Sequence, residues 1–160
     1  MPDLFGHTRA RIAARHALIT PGNHVNSSVP GFTGATTVVL INEAMGAKFA
    51  QLLVTFTADG RAAQPASGTQ TFGHVMQGGG ALTVGKDKAK VHAGSFFYVP
   101  AGQPWSLTAP KAGTQLTLFQ KKYVALPGVA LLKAIIGDVA KVKGTPFLGD
   151  PAANLQVLLP

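Results

Sequence analysis

A chain of 160 residues, 46% of them apolar and 12% charged, has the length of a single domain that buries roughly 70% of its unfolded surface, and that composition excludes an intrinsically disordered chain. The absence of cysteine excludes disulfides and thiolate chemistry and fits a reducing compartment. The net charge of +8 reflects scarce acids, Glu43 and five aspartates, as much as abundant Lys and Arg, and no long basic block gathers it.

Residues 1–15 mix Asp3, His7, Arg9, Arg11 and Arg15 without the apolar stretch of a secretory signal, and read as an N-terminal arm. Short runs rich in Val, Phe, Thr and Leu follow at intervals of about ten residues. They predict strands at residues 17–20, 36–41, 49–57, 71–77, 81–84, 95–99 and 114–122. Pro30-Gly31, Asp59-Gly60, Gly78-Gly79-Gly80, Pro100-Ala101-Gly102 and Gly113 separate them with residues that tight turns favour, glycine supplying positive φ. Lys86, Lys88 and Lys90 surround Asp87 and read as a solvated loop at a hairpin turn. After Pro127-Gly128 the apolar positions of residues 129–142 suit one face of a short helix, which Gly137 weakens by about 1 kcal/mol. Residues 143–154, with Gly144, Pro146, Gly149 and Pro151, read as a connector, and residues 155–159 as a strand starting at the chain's end. The pattern predicts one all-β barrel over residues 1–142, followed by a linker, 143–160, that leads toward a further element or a neighbour.

Several function classes lack their signatures. No apolar run approaches the ~20 residues of a membrane span, so a cytoplasmic location is expected. No basic stripe interleaved with aromatics marks a nucleic-acid surface. A Gly-x-Ser-x-Gly elbow is missing, and Gly78-Gly79-Gly80 is not followed by the Lys-Ser or Lys-Thr of a phosphate loop.

The most specific stretch runs from Gly94 through Pro100-Ala101-Gly102 to Trp105. It resembles the second cupin motif, Gly, five residues, Pro-x-Gly, two residues, then His, with Trp105 in the His position. An indole has no lone pair to offer a metal. The first cupin motif, aligned on Gly78, puts its Glu slot at Thr71 and its two His slots within residues 64–67, where Gln64, Pro65, Ala66 and Ser67 stand. Thr71 and Trp105 thus occupy degenerate metal slots, and all four expected ligands are absent. His74 shares a strand with Thr71, but side chains alternate along a strand, so His74 points the other way. His7, His16, His24 and His92 share no ligand spacing, and Glu43 is the sole Glu.

The order and spacing of His16-Ala17-Leu18-Ile19-Thr20-Pro21, Val29-Pro30-Gly31-Phe32, Leu52-Leu53-Val54-Thr55, Thr71-Phe72, Tyr98-Val99-Pro100-Ala101-Gly102 and Lys121-Lys122-Tyr123-Val124 resemble the N-terminal half of the (S)-ureidoglycine aminohydrolase family, two-cupin (jelly-roll) enzymes of allantoin and purine breakdown. The resemblance implies that the full enzyme hydrolyses ureidoglycine to ureidoglycolate and ammonia, using manganese held by Glu, His and Gln side chains of its second cupin. It also implies that the first cupin holds no cofactor and is inactive alone. The expected role is a noncatalytic barrel that pairs with a second cupin half or with its own copy, and no nucleic acid or membrane is expected as a partner. The alternative is a stand-alone degenerate cupin in which Phe72, Phe97, Tyr98 and Trp105 line a pocket for a small organic anion.

Overall fold

The computed structural model describes residues 10–13 and 16–159, so His7, Arg9, Arg15 and most of the expected arm lie outside the described residues. In chain order the strands are β1 (Arg11–Ile12), β2 (Ala17–Leu18), β3 (Asn26–Ser27), β4 (Phe32–Ile41), β5 (Ala50–Gln64), β6 (Thr69–Gln77), β7 (Gly79–Val84), β8 (Asp87–His92), β9 (Ser95–Val99), β10 (Trp105–Ala109), β11 (Gln115–Lys122), β12 (Ile135–Asp138), β13 (Thr145–Phe147) and β14 (Asp150–Leu155). Three single turns of 3-10 helix are the only helical pieces among the described residues, and no helix is long and apolar enough to cross a membrane. The all-β barrel expected from the sequence is the fold that forms.

β5 organises it. Residues 50–55 pair with β11 and residues 60–64 with β10, while β4 runs beside both parts. Between them Asp59 takes a φ of 57°, and a Cβ on Gly60 would run into the carbonyl oxygen of Gly34. That bend carries the strand from one layer of the barrel to the other. The main sheet runs β12-β9-β6-β11-β5-β10-β7-β8, and its two halves close on a single core. Alternate residues of each strand fill this core: Leu52, Val54 and Phe56 of β5, Val75 of β6, Phe97 and Val99 of β9, Leu107 of β10, Leu116 and Leu118 of β11. Burying each such Val, Leu or Phe stabilises the fold by about 1.5–3 kcal/mol.

Four expectations need correction. Residues 129–142 form no helix: after an irregular stretch, β12 pairs antiparallel with β9. Gly137 fits there because the Phe96 ring lies where a Cβ would stand, a packing demand that outweighs the helical spacing of the apolar residues. Residues 143–154 are not an open connector, because β13 and β14 close a hairpin through Leu148 and Gly149, both at positive φ. The expected terminal strand over residues 155–159 reduces to Leu155, the end of β14. Of the three consecutive glycines only Gly78 has a positive φ, whereas Gly79 and Gly80 belong to β7, where a Cβ would collide with the backbone of Val91 and of Thr108.

β8 and β10 are among the strands that the sequence did not predict. In β8 Val91 is buried while Lys88 and Lys90 are exposed, an alternation that ends the sheet on an edge of lysines, which discourages further pairing. The turn itself is at Gly85 and Lys86.

Candidate functional site

At one end of the barrel the inward rows turn from apolar to neutral polar. In β6 the row Val75, Gly73, Thr71 continues to Thr69; in β11 Leu116 and Leu118 lead to Gln120; in β5 Ala62 leads to Gln64; in β10 Leu107 leads to Trp105. The strand register sets Thr71 opposite Gln120 and Trp105 opposite Gln64. Gln64, Pro65, Ser67, Thr69, Thr71, Gln103, Trp105 and Gln120 together line a cavity of about 120 Å³. The bend at Pro100-Ala101-Gly102 is pinned over it by the Gly102 amide, which donates to the Ser67 carbonyl at 2.7 Å, with Gly102 at a φ of 86°.

The positions read from the sequence as metal slots, Thr71, Trp105 and Gln64 to Ser67, therefore meet in one place. What they offer does not fit a transition ion: hydroxyls, carboxamides and an indole, without an imidazole or a carboxylate among the lining residues. Among the described residues no three His, Cys, Asp or Glu side chains gather anywhere. Sequence reasoning passed over Gln103 and Gln120. The Leu116, Leu118, Gln120 alternation was the available signal for the second of them.

The four aromatic residues expected to share a pocket are divided between two faces. Phe97 and Trp105 lie inside, with ring centroids 5.4 Å apart, and Phe32 meets Trp105 edge-on at 6.4 Å. Phe72 stands on the outer face of the sheet, in a row of rings running Phe49, Phe119, Phe72, Phe96 with successive centroids 6.2, 6.3 and 6.2 Å apart. Tyr98 shares the parity of Phe96, and its hydroxyl donates to Gln70 Oε1 at 2.8 Å. Burial, and secondarily the charge of Tyr123, raise the Tyr98 pKa above the ordinary 10.0. A raised folded-state value means stability that is complete below pH 10.0 and is lost as pH climbs through the folded pKa. Tyr98→Phe should therefore flatten the alkaline fall of the urea midpoint, at a pH-independent cost of about 0.5–1.5 kcal/mol for the lost hydrogen bond; an unchanged alkaline slope would contradict this.

His74 is half-buried on the outer face, as the alternation required, beside the buried inward pair Gly73 and Val75. His92 lies 3.4 Å from Asp138 through Nε2 and 3.1 Å from Ser95 Oγ through Nδ1. The Ser95 residue is buried and its hydroxyl already accepts from the His92 amide at 3.0 Å, so these contacts fasten the turn before β9 to β12 and leave no free nucleophile. Glu43 is exposed and lines a wider groove, about 670 Å³, with Lys121 and Lys122; Thr69 and Gln120 belong to both this groove and the small cavity.

Comparison with known proteins agrees with this geometry. Residues 53–119, from β5 to β11, match the model of the cupin domain family. The whole chain aligns at 30% identity with the probable (S)-ureidoglycine aminohydrolase of Oryza sativa subsp. japonica, of which it covers 51%, and at 30% with the (S)-ureidoglycine aminohydrolase of Arabidopsis thaliana, of which it covers 53%. The crystal structure of the protein Ylba from E. coli superposes with a TM-score of 0.79 at 25% identity, over 85% of this chain and 57% of that one. The chain spans about half the length of the curated relatives it matches. It thus carries a cupin domain in a cupin-type barrel and is similar, from end to end, to about half of an (S)-ureidoglycine aminohydrolase.

Proposed function

We propose that this chain is a noncatalytic cupin barrel, holding no metal, whose role is to pack against a second, metal-bearing cupin and so complete an aminohydrolase that converts ureidoglycine to ureidoglycolate and ammonia. The observation that carries the proposal is the barrel mouth, where Thr71, Gln64, Ser67 and Trp105, the residues that motif spacing assigns to the ligand slots, line one cavity and provide no strong electron-pair donor. Two further features support it. The chain accounts for about half of each curated relative, leaving the other half as the place for a metal site. The ring row starts at Phe49, just before β5, and continues over Phe119 of β11, Phe72 of β6 and Phe96 of β9, with the first three rings half-buried and Phe96 buried, and the segment after β11 exposes Val124, Leu126, Val129 and Leu131. Apolar surface of this kind is what a stable interface covers.

The isolated chain should release no ammonia from ureidoglycine, and activity should appear when a metal-bearing second cupin is supplied. Phe72→Asp and Phe119→Asp should abolish both that activity and co-sedimentation of the two halves while leaving the barrel's circular dichroism intact. Sedimentation of the chain alone reports whether copies of it pair through the same face. Turnover by the isolated chain would refute the proposal.

A further inference from the structure

The small cavity at the mouth has an unusual balance of polar groups. Thr71 is 3% exposed and Trp105 is 4% exposed, and among the described residues the Thr71 hydroxyl and the indole N–H make no hydrogen bond. No buried side-chain nitrogen or oxygen of the described residues is left without a partner, so both groups keep accessible surface, and both residues line this cavity, Trp105 lining the adjoining groove as well. Among the described residues the side chains of Gln103, which is exposed, and of half-buried Gln120 likewise make no hydrogen bond. Gln64 uses its Nε2 to donate to the Pro30 carbonyl at 2.7 Å, which fixes its rotamer and leaves its Oε1 as an acceptor. No charged side chain lines this space; Glu43, Lys121 and Lys122 stand outside, in the wider groove.

We propose that this cavity is a binding site for a small uncharged solute of the amide or urea class. Carboxamides and hydroxyls present donors and acceptors side by side, which is the complement of a ligand bearing N–H and C=O groups on one plane. An ion would have to surrender its hydration to neutral partners, a cost that hydrogen bonds to uncharged groups do not offset. The Trp105 indole, packed against Phe97 and Phe32, adds apolar surface to the lining. About 120 Å³ is room for roughly four waters, or for one solute of similar bulk. The inference stands apart from the assembly reading, because it concerns the barrel interior and holds whether or not a second cupin docks outside.

Trp105 is the sole tryptophan, so its fluorescence reports on this cavity directly. The full chain is titrated with propionamide and methylurea, and with propionate and propylammonium as charged molecules of the same size. Saturable binding of the two neutral probes is expected, with Kd of about 0.1–10 mM given their few heavy atoms, and at least tenfold weaker binding of the ions. Thr71→Val, which keeps the side-chain shape, and Gln120→Met should each weaken the neutral probes about tenfold, and ligand-observed NMR should give the same ranking. A linear, non-saturating response, equal binding of propionate, or unchanged affinity in both variants would overturn the proposal. None of these outcomes depends on ammonia release or on a second cupin.

Discussion

Phe97→Ala should lower the unfolding free energy by about 3–5 kcal/mol, read from urea denaturation of the isolated chain. The ring has no exposed surface and sits between two fixed neighbours, Trp105 on one side and the backbone of Gly73 on the other. A Cβ built on Gly73 would fall among the Phe97 ring atoms, with the three nearest at 2.2, 2.4 and 2.8 Å. Gly73→Ala alone should therefore cost about 1–3 kcal/mol through overpacking, since a ring held on both sides cannot step aside. Combined, the two changes should not add. In the Phe97→Ala background the new methyl meets a vacated volume, and a coupling of about 1–3 kcal/mol is expected from the double-mutant cycle. Strict additivity would show that the ring does not rest on that glycine.

The same pair shows how far the sequence could be read. Motif spacing put Thr71 in an inward slot, alternation sets Gly73 and Val75 on the same face, and all three are buried. Two-residue periodicity survives any detail of packing, so it also placed His74 outside. Why position 73 is a glycine was not legible, because the reason is a ring from β9, which pairs with β6 in space. The helix expected over residues 129–142 failed for a related cause. Its apolar spacing suited a helical face, but Ile135 and Ile136 find unfilled hydrogen-bonding positions beside Tyr98 and Phe97 at the edge of β9, and an edge of that kind is invisible in one dimension.

The mouth was partly legible. Motif spacing brought Thr71, Trp105 and the Gln64 to Ser67 stretch to one location, and they do line one cavity. The aromatic residues were grouped by type without regard to alternation, and adjacent ones, Phe97 and Tyr98, necessarily face opposite ways. The contribution of Gln103 depends on the bend at Gly102 and the hydrogen bond to Ser67, a contact between segments 35 positions apart (102 less 67) that no local pattern announces.

Trp105→Ala should be the second large loss, again about 3–5 kcal/mol. The indole closes the apolar core where the rows turn polar, touching Phe97 beneath and Phe32 at its edge. Removing it opens the interior to the mouth, so water gains access to Phe97 and Leu107, and the hydrophobic stabilisation of both declines with the area re-wetted. Trp105→Phe separates this plugging role from a polar one. A phenyl ring still covers Phe97 and should retain most of the stability, costing less than half of what the alanine costs, while it lacks the indole N–H. If Trp105→Phe destabilised as much as Trp105→Ala, the N–H rather than the ring face would be what holds the mouth together.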